Sequence, residues 1–349
     1  MRVPLFRFRY GAHLSKAQVA ELVVPHPDTL EIVTSWLGRN GVPTSSISLT
    51  HGGGWLTVTD ITVSQANELL GASYQFYYHA GWNDTILRTA SYSLPALMHL
   101  HVITVVPTRA FTSTRLLQQA PRRRSGEAAV LNATSKEPVN MLSHREQIDI
   151  TPSVLRELYK TDTYVPPVAA NSMLGIVGSY DERLDPFDQS TFMARFMTNK
   201  LDKTITYQPI DPNMMVTHRG RINVRANMFA QYTAAITYPI PITFYRGTGM
   251  PFTPPAKKGK VTPGADDAIR LWLSYAVDQP SNPHTIGLIS DGIREDNLPR
   301  EYTIAVCGLF EILGARGSTV LVPSGDNGVG SQLSKKFDVN FPASCTCGF

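Results

Sequence analysis

The stretch Thr319 to Gly330, TVLVPSGDNGVG, ends an apolar β-branched run in a turn of small residues that carries one carboxylate, Asp326. Such a turn is either an ordinary surface loop or a rigid platform that aims a carboxyl group into an active site. Its glycine spacing is not that of a phosphate loop, and no Lys-Ser or Lys-Thr pair follows. His79, His99 and His101 invite a metal site, but no cysteine joins them. His99-Leu-His101 alternates as on a strand, so structural or surface roles are expected. Cys307, Cys345 and Cys347 are too few for a disulfide scaffold, and Cys345-Thr-Cys347 lacks a second pair at zinc-ligand spacing. One disulfide with a spare thiol fits the count. Arg122-Arg123-Arg124, just after Pro121, reads either as a solvated linker or as a place where a processing protease cuts between domains.

The elements that must hold these residues fall into two groups. Ser15 to Gln18 is a capping box, which opens a helix that runs to about Val23 and stops at Pro25 and Pro27. Asp28-Thr-Leu-Glu31 opens a second helix in the same way, with Leu30, Val33, Trp36 and Leu37 on one face and Gly38 to Gly41 at its end. Strands are expected at Ile47 to Leu49 and Trp55 to Val58, a helix at Val63 to Leu70, and strands at SYQFYYH and HVITVVP. These elements form a compact α+β unit over residues 1–107.

Residues 108–150 have no sustained period and read as a linker. From ITPSVLRELYKT onward, residues 151–349 alternate helix and strand. Thr151 caps the first helix, whose Val154, Leu155 and Leu158 line one face. The run NSMLGIVGSY, helix at Asp188 to Phe196, RANMFAQYTAAI, PITFY, DDAIRLWLSYAV, HTIGLIS, REYTIAVCGLFEILGARG and STVLVPSG implies a mostly parallel sheet covered on both faces. Trp36 and Trp272 sit at core spacing in their helices.

The totals agree with this division. A length of 349 residues suits two domains, and 42% hydrophobic with 17% charged residues is a globular composition. A net charge of +4 is small for the size and argues against a nucleic-acid partner. No apolar run approaches the roughly 18 residues of a membrane span, and no membrane partner is expected. The amino terminus MRVPLFRFRYGAHLS lacks an apolar h-region and is not a signal peptide.

Several segments, taken in order, resemble one family. YGAHLSKAQVAELVVPHPDTLEIVTSWL is similar to the activation prodomain of the sedolisins, the serine-carboxyl peptidases, and most of all to their fungal tripeptidyl-peptidase branch. ITPSVLRELY resembles the start of their catalytic domain, LGARGSTVLVPSGDNGVG the segment with their oxyanion aspartate, and FPASC the piece soon after. The resemblance implies a ferredoxin-like α+β prodomain followed by a truncated, subtilisin-like α/β domain. It implies acid-active peptide hydrolysis, in which a Ser attacks, a Glu acts as base, an Asp supports the Glu and a second Asp stabilises the oxyanion. A peptide or protein substrate and an extracellular location follow by the same resemblance, and a Cys307–Cys345 disulfide is suggested because related fungal sequences carry both.

Asp326 matches the oxyanion aspartate, a role in which a protonated carboxyl donates to a developing O⁻. The family's Glu/Asp pair sits at i, i+4 on a helix of the form G-E-A-x-L-D-x-Q. VRANMFAQYT keeps that register, but Arg225 stands at the Glu position and Phe229 at the Asp position. Arg cannot serve as a base, its pKa lying above about 12, and Phe cannot accept a hydrogen bond. No other acid occurs between residues 212 and 265. The family's nucleophilic Ser and calcium site lie beyond FPASC and have no counterpart here, so the chain reads as an internal fragment, with no metal or cofactor expected. Three readings follow: an inactive sedolisin-like peptidase homologue, a prodomain-like inhibitor or pseudo-protease that binds an active relative, or a truncated version of an active acid peptidase. In the first, Asp326 serves turn geometry.

Overall fold

The computed structural model describes residues 11–50, 54–79, 84–109, 149–167, 172–178, 184–197, 205–210, 224–246, 268–289, 292–325, 337 and 339–346. The amino-terminal group comprises α1 (Lys16–Val23), α2 (Pro27–Arg39), β1 (Ile47–Thr50), β2 (Trp55–Val58), α3 (Val63–Leu70), β3 (Gln75–His79) and β4 (Asp84–Arg88). Its local signals act as read. The Ser15 hydroxyl accepts the Gln18 N–H at 3.2 Å, and the Gln18 side chain accepts the Ser15 N–H at 2.9 Å. Helix α2 differs in detail. It begins at Pro27, and its cap is the His26 ring, which accepts the Asp28 N–H at 3.4 Å. Of its apolar face only Leu37 is fully buried, and Leu30 is exposed.

HVITVVP forms no strand. A 3₁₀ turn at Ala96–Leu100 precedes it, and the chain then runs irregularly to Arg109. Isolated bonds tie the segment down in place of a ladder: the Tyr74 hydroxyl donates to the Pro107 carbonyl at 2.7 Å, and just beyond it the Thr89 N–H donates to the Thr108 carbonyl at 3.3 Å. The partner of β3 is β4, a strand that the sequence reading passed over. Among the described residues, β1–β2 and β3–β4 form two separate antiparallel hairpins.

The second group is an α/β domain with a five-stranded sheet. Its elements are α4 (Pro152–Leu158), β5 (Leu174–Gly178), α5 (Pro186–Phe196), β6 (Thr206–Pro209), α6 (Val224–Thr237), β7 (Ile242–Arg246), α7 (Ala268–Asp278), β8 (Thr285–Leu288), β9 (Ile293–Arg294), α8 (Arg300–Ala315), β10 (Thr319–Leu321) and β11 (Asn340–Phe341). The sheet order is β10-β8-β5-β7-β6, and every ladder in it is parallel. A parallel sheet needs cover on both faces, and successive residues of each strand serve opposite ones. Val177, Tyr245, Ile286 and Leu288 face Trp272, Val277, Val306 and Leu313 of α7 and α8. Ile176, Ile242 and Phe244 face Ala226 and Ala230 of α6.

Trp272 is fully buried in that core, whereas Trp36 is only half-buried. Leu158 is exposed, so the apolar face of α4 is narrower than its sequence suggests. The small pair β9–β11 lies apart from the main sheet. Val19 of α1 belongs to the same buried cluster as α7 and α8, with Leu14, Trp55 and Val106 packed against it. Burying a valine is worth about 1.5–3 kcal/mol, so the two groups share a core and do more than touch.

Candidate functional site

In a parallel sheet, functional groups gather beyond the carboxyl ends of the strands. Toward that edge α6, which carries Arg225 and Phe229, begins after β6, and the chain leaves β10 there through residues 322–325. Asp326 itself lies outside the described residues, which reach Gly325 and resume at residue 337. The neck of the turn is described. Gly325 has φ +88°, a left-handed backbone that favours glycine, and the Asn340 side chain donates to the Ser324 carbonyl at 2.9 Å.

The far side of that neck is fastened in three ways. β11 pairs with β9, the buried Phe341 ring meets Tyr302 with centroids 6.1 Å apart, and Cys307 of α8 is bonded to Cys345 with Cα atoms 5.5 Å apart. The disulfide that the resemblance suggested is therefore formed. It lies between the core helix α8 and the turn after β11.

Arg225 and Phe229 lie one turn apart on α6, as the register requires. Their surroundings are unlike each other. Arg225 is half-buried near the helix start and is engaged by neighbouring groups. Phe229 packs against the apolar cluster on the α6 face of the sheet. Its ring lies across Gly287 of β8 so closely that a Cβ built there would meet Cε1 and Cζ at 3.3 Å. A glycine inside a strand marks such a close approach, so Gly287 was the sequence signal for this contact.

Between these two positions, Asn227 is buried, and its side-chain oxygen accepts the Asp185 N–H at 2.8 Å. Asp185 in turn caps α5 by accepting the Phe187 N–H at 2.8 Å. Asn227 thus braces α5 against α6, a role that no local pattern disclosed. The described part of α6 presents no carboxylate, because its fourteen residues contain none. What this face supplies is a cation at its start and an aromatic plug one turn later.

The His79 side chain lies outside the described residues, and the described histidines do not assemble. The His101 ring Nδ1 and the Thr29 hydroxyl share a hydrogen bond of 2.9 Å, His99 is exposed, and the two flank the end of a 3₁₀ turn with no strand beneath them. Among the described residues no cluster of three His, Cys, Asp or Glu could hold a metal ion. No helix among them is long and apolar enough to cross a membrane. The Arg122 to Arg124 run, like most of the 108–150 segment, lies outside the described residues.

Comparison with known proteins adds a second line. Residues 8–111 match the pro-kumamolisin activation domain. Over 348 residues the chain is 28% identical to the probable tripeptidyl-peptidase SED3 of Arthroderma benhamiae, covering 96% of this chain and 56% of that protein. It is 29% identical over 348 residues to the tripeptidyl-peptidase SED4 of Arthroderma otae, covering 96% of this chain and 55% of that protein. The chain thus spans a little over half the length of these relatives. Among solved structures, Pseudomonas sedolisin (serine-carboxyl proteinase) complexed with two molecules of pseudo-iodotyrostatin aligns at 16% identity with a TM-score of 0.36, over 57% of this chain and 52% of that one. That overlap is too slight to bear on the fold.

Proposed function

We propose, from the premise that this chain is a relative of the sedolisins, that it is a tripeptidyl-peptidase homologue whose acid–base pair has been lost, leaving it inactive as written. The observation that carries this reading is Phe229, packed over Gly287 where the family's supporting carboxylate would stand. Arg225, at the position of the family's base, holds its proton throughout the acid and neutral range and cannot accept one from a nucleophile. Without a base, Asp326 has no oxyanion to serve, and its part reduces to shaping the turn that Asn340 and Gly325 hold.

The remaining attributes follow the family. The substrate surface is one for peptides or proteins, and the protein acts outside the cell. Residues 1–107 form an activation prodomain, ferredoxin-like by resemblance, and residues 151–349 the first part of a subtilisin-like domain. The Arg122 to Arg124 run in the connection between them is a place for a processing cut.

An acid-pH assay on the purified full chain tests the central claim, using a peptide substrate with a free amino terminus. No release of tripeptide above a buffer control is expected. Steady turnover that scales with protein concentration would overturn the proposal, because it would require a base other than Arg225.

A further inference from the structure

We infer that the carboxyl edge of the sheet, where β7 ends and α6 begins, binds the carboxylates of peptides, with Arg246 and Arg225 as its cations. The choice of a peptide as ligand rests on the reading of the chain as a peptidase homologue. The need for an anion stands on the geometry alone.

Arg246 is the last residue of β7, and its register partners are Pro209 of β6 and Gly178 of β5. Neither neighbour carries a polar side chain. Successive residues of a strand serve opposite faces, so Arg246 shares the side of Ile242 and Phe244, which α6 covers. Its Nε is buried and meets no acceptor among the described residues. Native proteins leave few buried donors unmet, because such a group has given up water and received nothing in return. A carboxylate removes that cost by accepting two parallel bonds from the guanidinium fork.

Arg225 lies in the first turn of α6, next to Ala226, which packs in the cluster that holds Phe244. That turn has no acidic residue, so the positive end of the helix is not neutralised within it. The sequence carries the same sign further. Residues 212–265 hold seven Arg and Lys and no Asp or Glu, while the whole chain has a net charge of only +4, so the rest has more acids than bases. One basic segment on an otherwise acidic chain suits a short acidic ligand, whereas a nucleic acid needs a long basic stripe. An acid at position 225 would repel a carboxylate, and the arginine there attracts it. The change that removes a base therefore also reverses the charge that such a ligand meets.

Fluorescence anisotropy with the purified full chain tests this, using three octapeptides that carry a neutral fluorophore. One has two internal glutamates and an amidated end, the second has glutamines in their place, and the third is the glutamine peptide with a free carboxyl terminus. A carboxylate-bearing peptide is expected to bind about tenfold or more tightly than the amidated glutamine peptide. Whether the glutamates or the free terminus give the gain identifies the carboxylate that is bound. The gain should fade as pH falls through about 4, where a carboxylate takes up its proton. Arg246→Gln should reduce it to about twofold or less, and Arg246→Lys, which keeps the charge without the fork, should retain part of it. Arg225→Gln should weaken it by about threefold or more. Arg39→Gln, at the exposed end of α2, should leave it intact. Equal affinities for the three peptides would overturn the inference, as would an undiminished gain in folded Arg246→Gln protein. Turnover in the acid-pH assay would sink the inactive reading and leave this one standing, whereas equal peptide affinities without turnover would do the reverse.

Discussion

Phe229 fills space on the α6 face of the sheet by packing its ring against a strand glycine, Gly287. The contact is tight enough to be tested by adding one methyl group. Gly287→Ala would place a Cβ 3.3 Å from the Phe229 ring, so the ring must give way by a few tenths of an ångström. Overpacking of this kind costs about 1–3 kcal/mol. In a Phe229→Ala background the opposing atoms are gone, and the same substitution should cost less by about 1 kcal/mol. Denaturant unfolding of the four proteins of this cycle measures the difference, and equal costs in both backgrounds would show that the ring does not bear on β8. The aromatic at 229 and the glycine at 287 were each visible in the sequence. Their meeting was not, because nothing local links positions so far apart.

Helices α7 and α8 run side by side and end at the same edge of the domain, where their carbonyls need donors. Arg316, just past the end of α8, supplies several. Its guanidinium donates to the carbonyls of Val277 at 3.0 Å, Gln279 at 2.8 Å and Pro280 at 3.1 Å. Burial lowers its pKa and the nearby Asp278 charge opposes that shift, and an arginine keeps its proton at neutral pH in any case. Arg316→Ala should destabilise the protein by about 1.5–3 kcal/mol, the range for hydrogen bonds from a charged group. Arg316→Lys should recover only part of that, because an ammonium cannot present the planar fork that reaches three carbonyls. Thermal or denaturant unfolding measures both. The helices were legible from their caps and apolar periods, as were four strands of the main sheet, whereas the edge strand β6 was not. HVITVVP was misread because its β-branched composition suits a strand, while its backbone groups bond to Met98 and to the Tyr74 hydroxyl and join no ladder.

The molecule carries a buried phenol in one part, Tyr245, and a half-buried one in the other, Tyr74. Burial pushes the Tyr245 hydroxyl up to about 12, with Tyr275 adding to the shift. Burial likewise raises Tyr74 to about 12, although Arg88 pulls the other way. An unfolded tyrosine ionises near 10, so between pH 10 and 12 the unfolded chain binds fewer protons than the native one. The stability associated with these groups is full below about pH 10 and falls as pH rises towards 12. Melting temperatures across that interval should therefore drop more steeply for the native sequence than for Tyr245→Phe, which keeps the ring and removes the proton. Parallel slopes would mean that Tyr245 ionises in the native state as easily as in the unfolded one.

The likeness to the sedolisins, the capped helices, the alternation that demands a parallel sheet and the absence of a carboxylate from α6 are all written in short windows of the chain. Each depends on neighbours three or four residues apart, or on the identity of a residue at one place in a motif, and such signals survive without a fold. Folding alone brought Phe229 onto Gly287, Asn227 under the cap of α5 and Asn340 to Ser324, and it joined Cys307 to Cys345. It also set Leu14 and Lys16 at the ends of helices some 260 to 300 residues away in sequence. Contacts of that span have no periodicity to announce them, because they are selected by which surfaces are left uncovered once the local elements have formed.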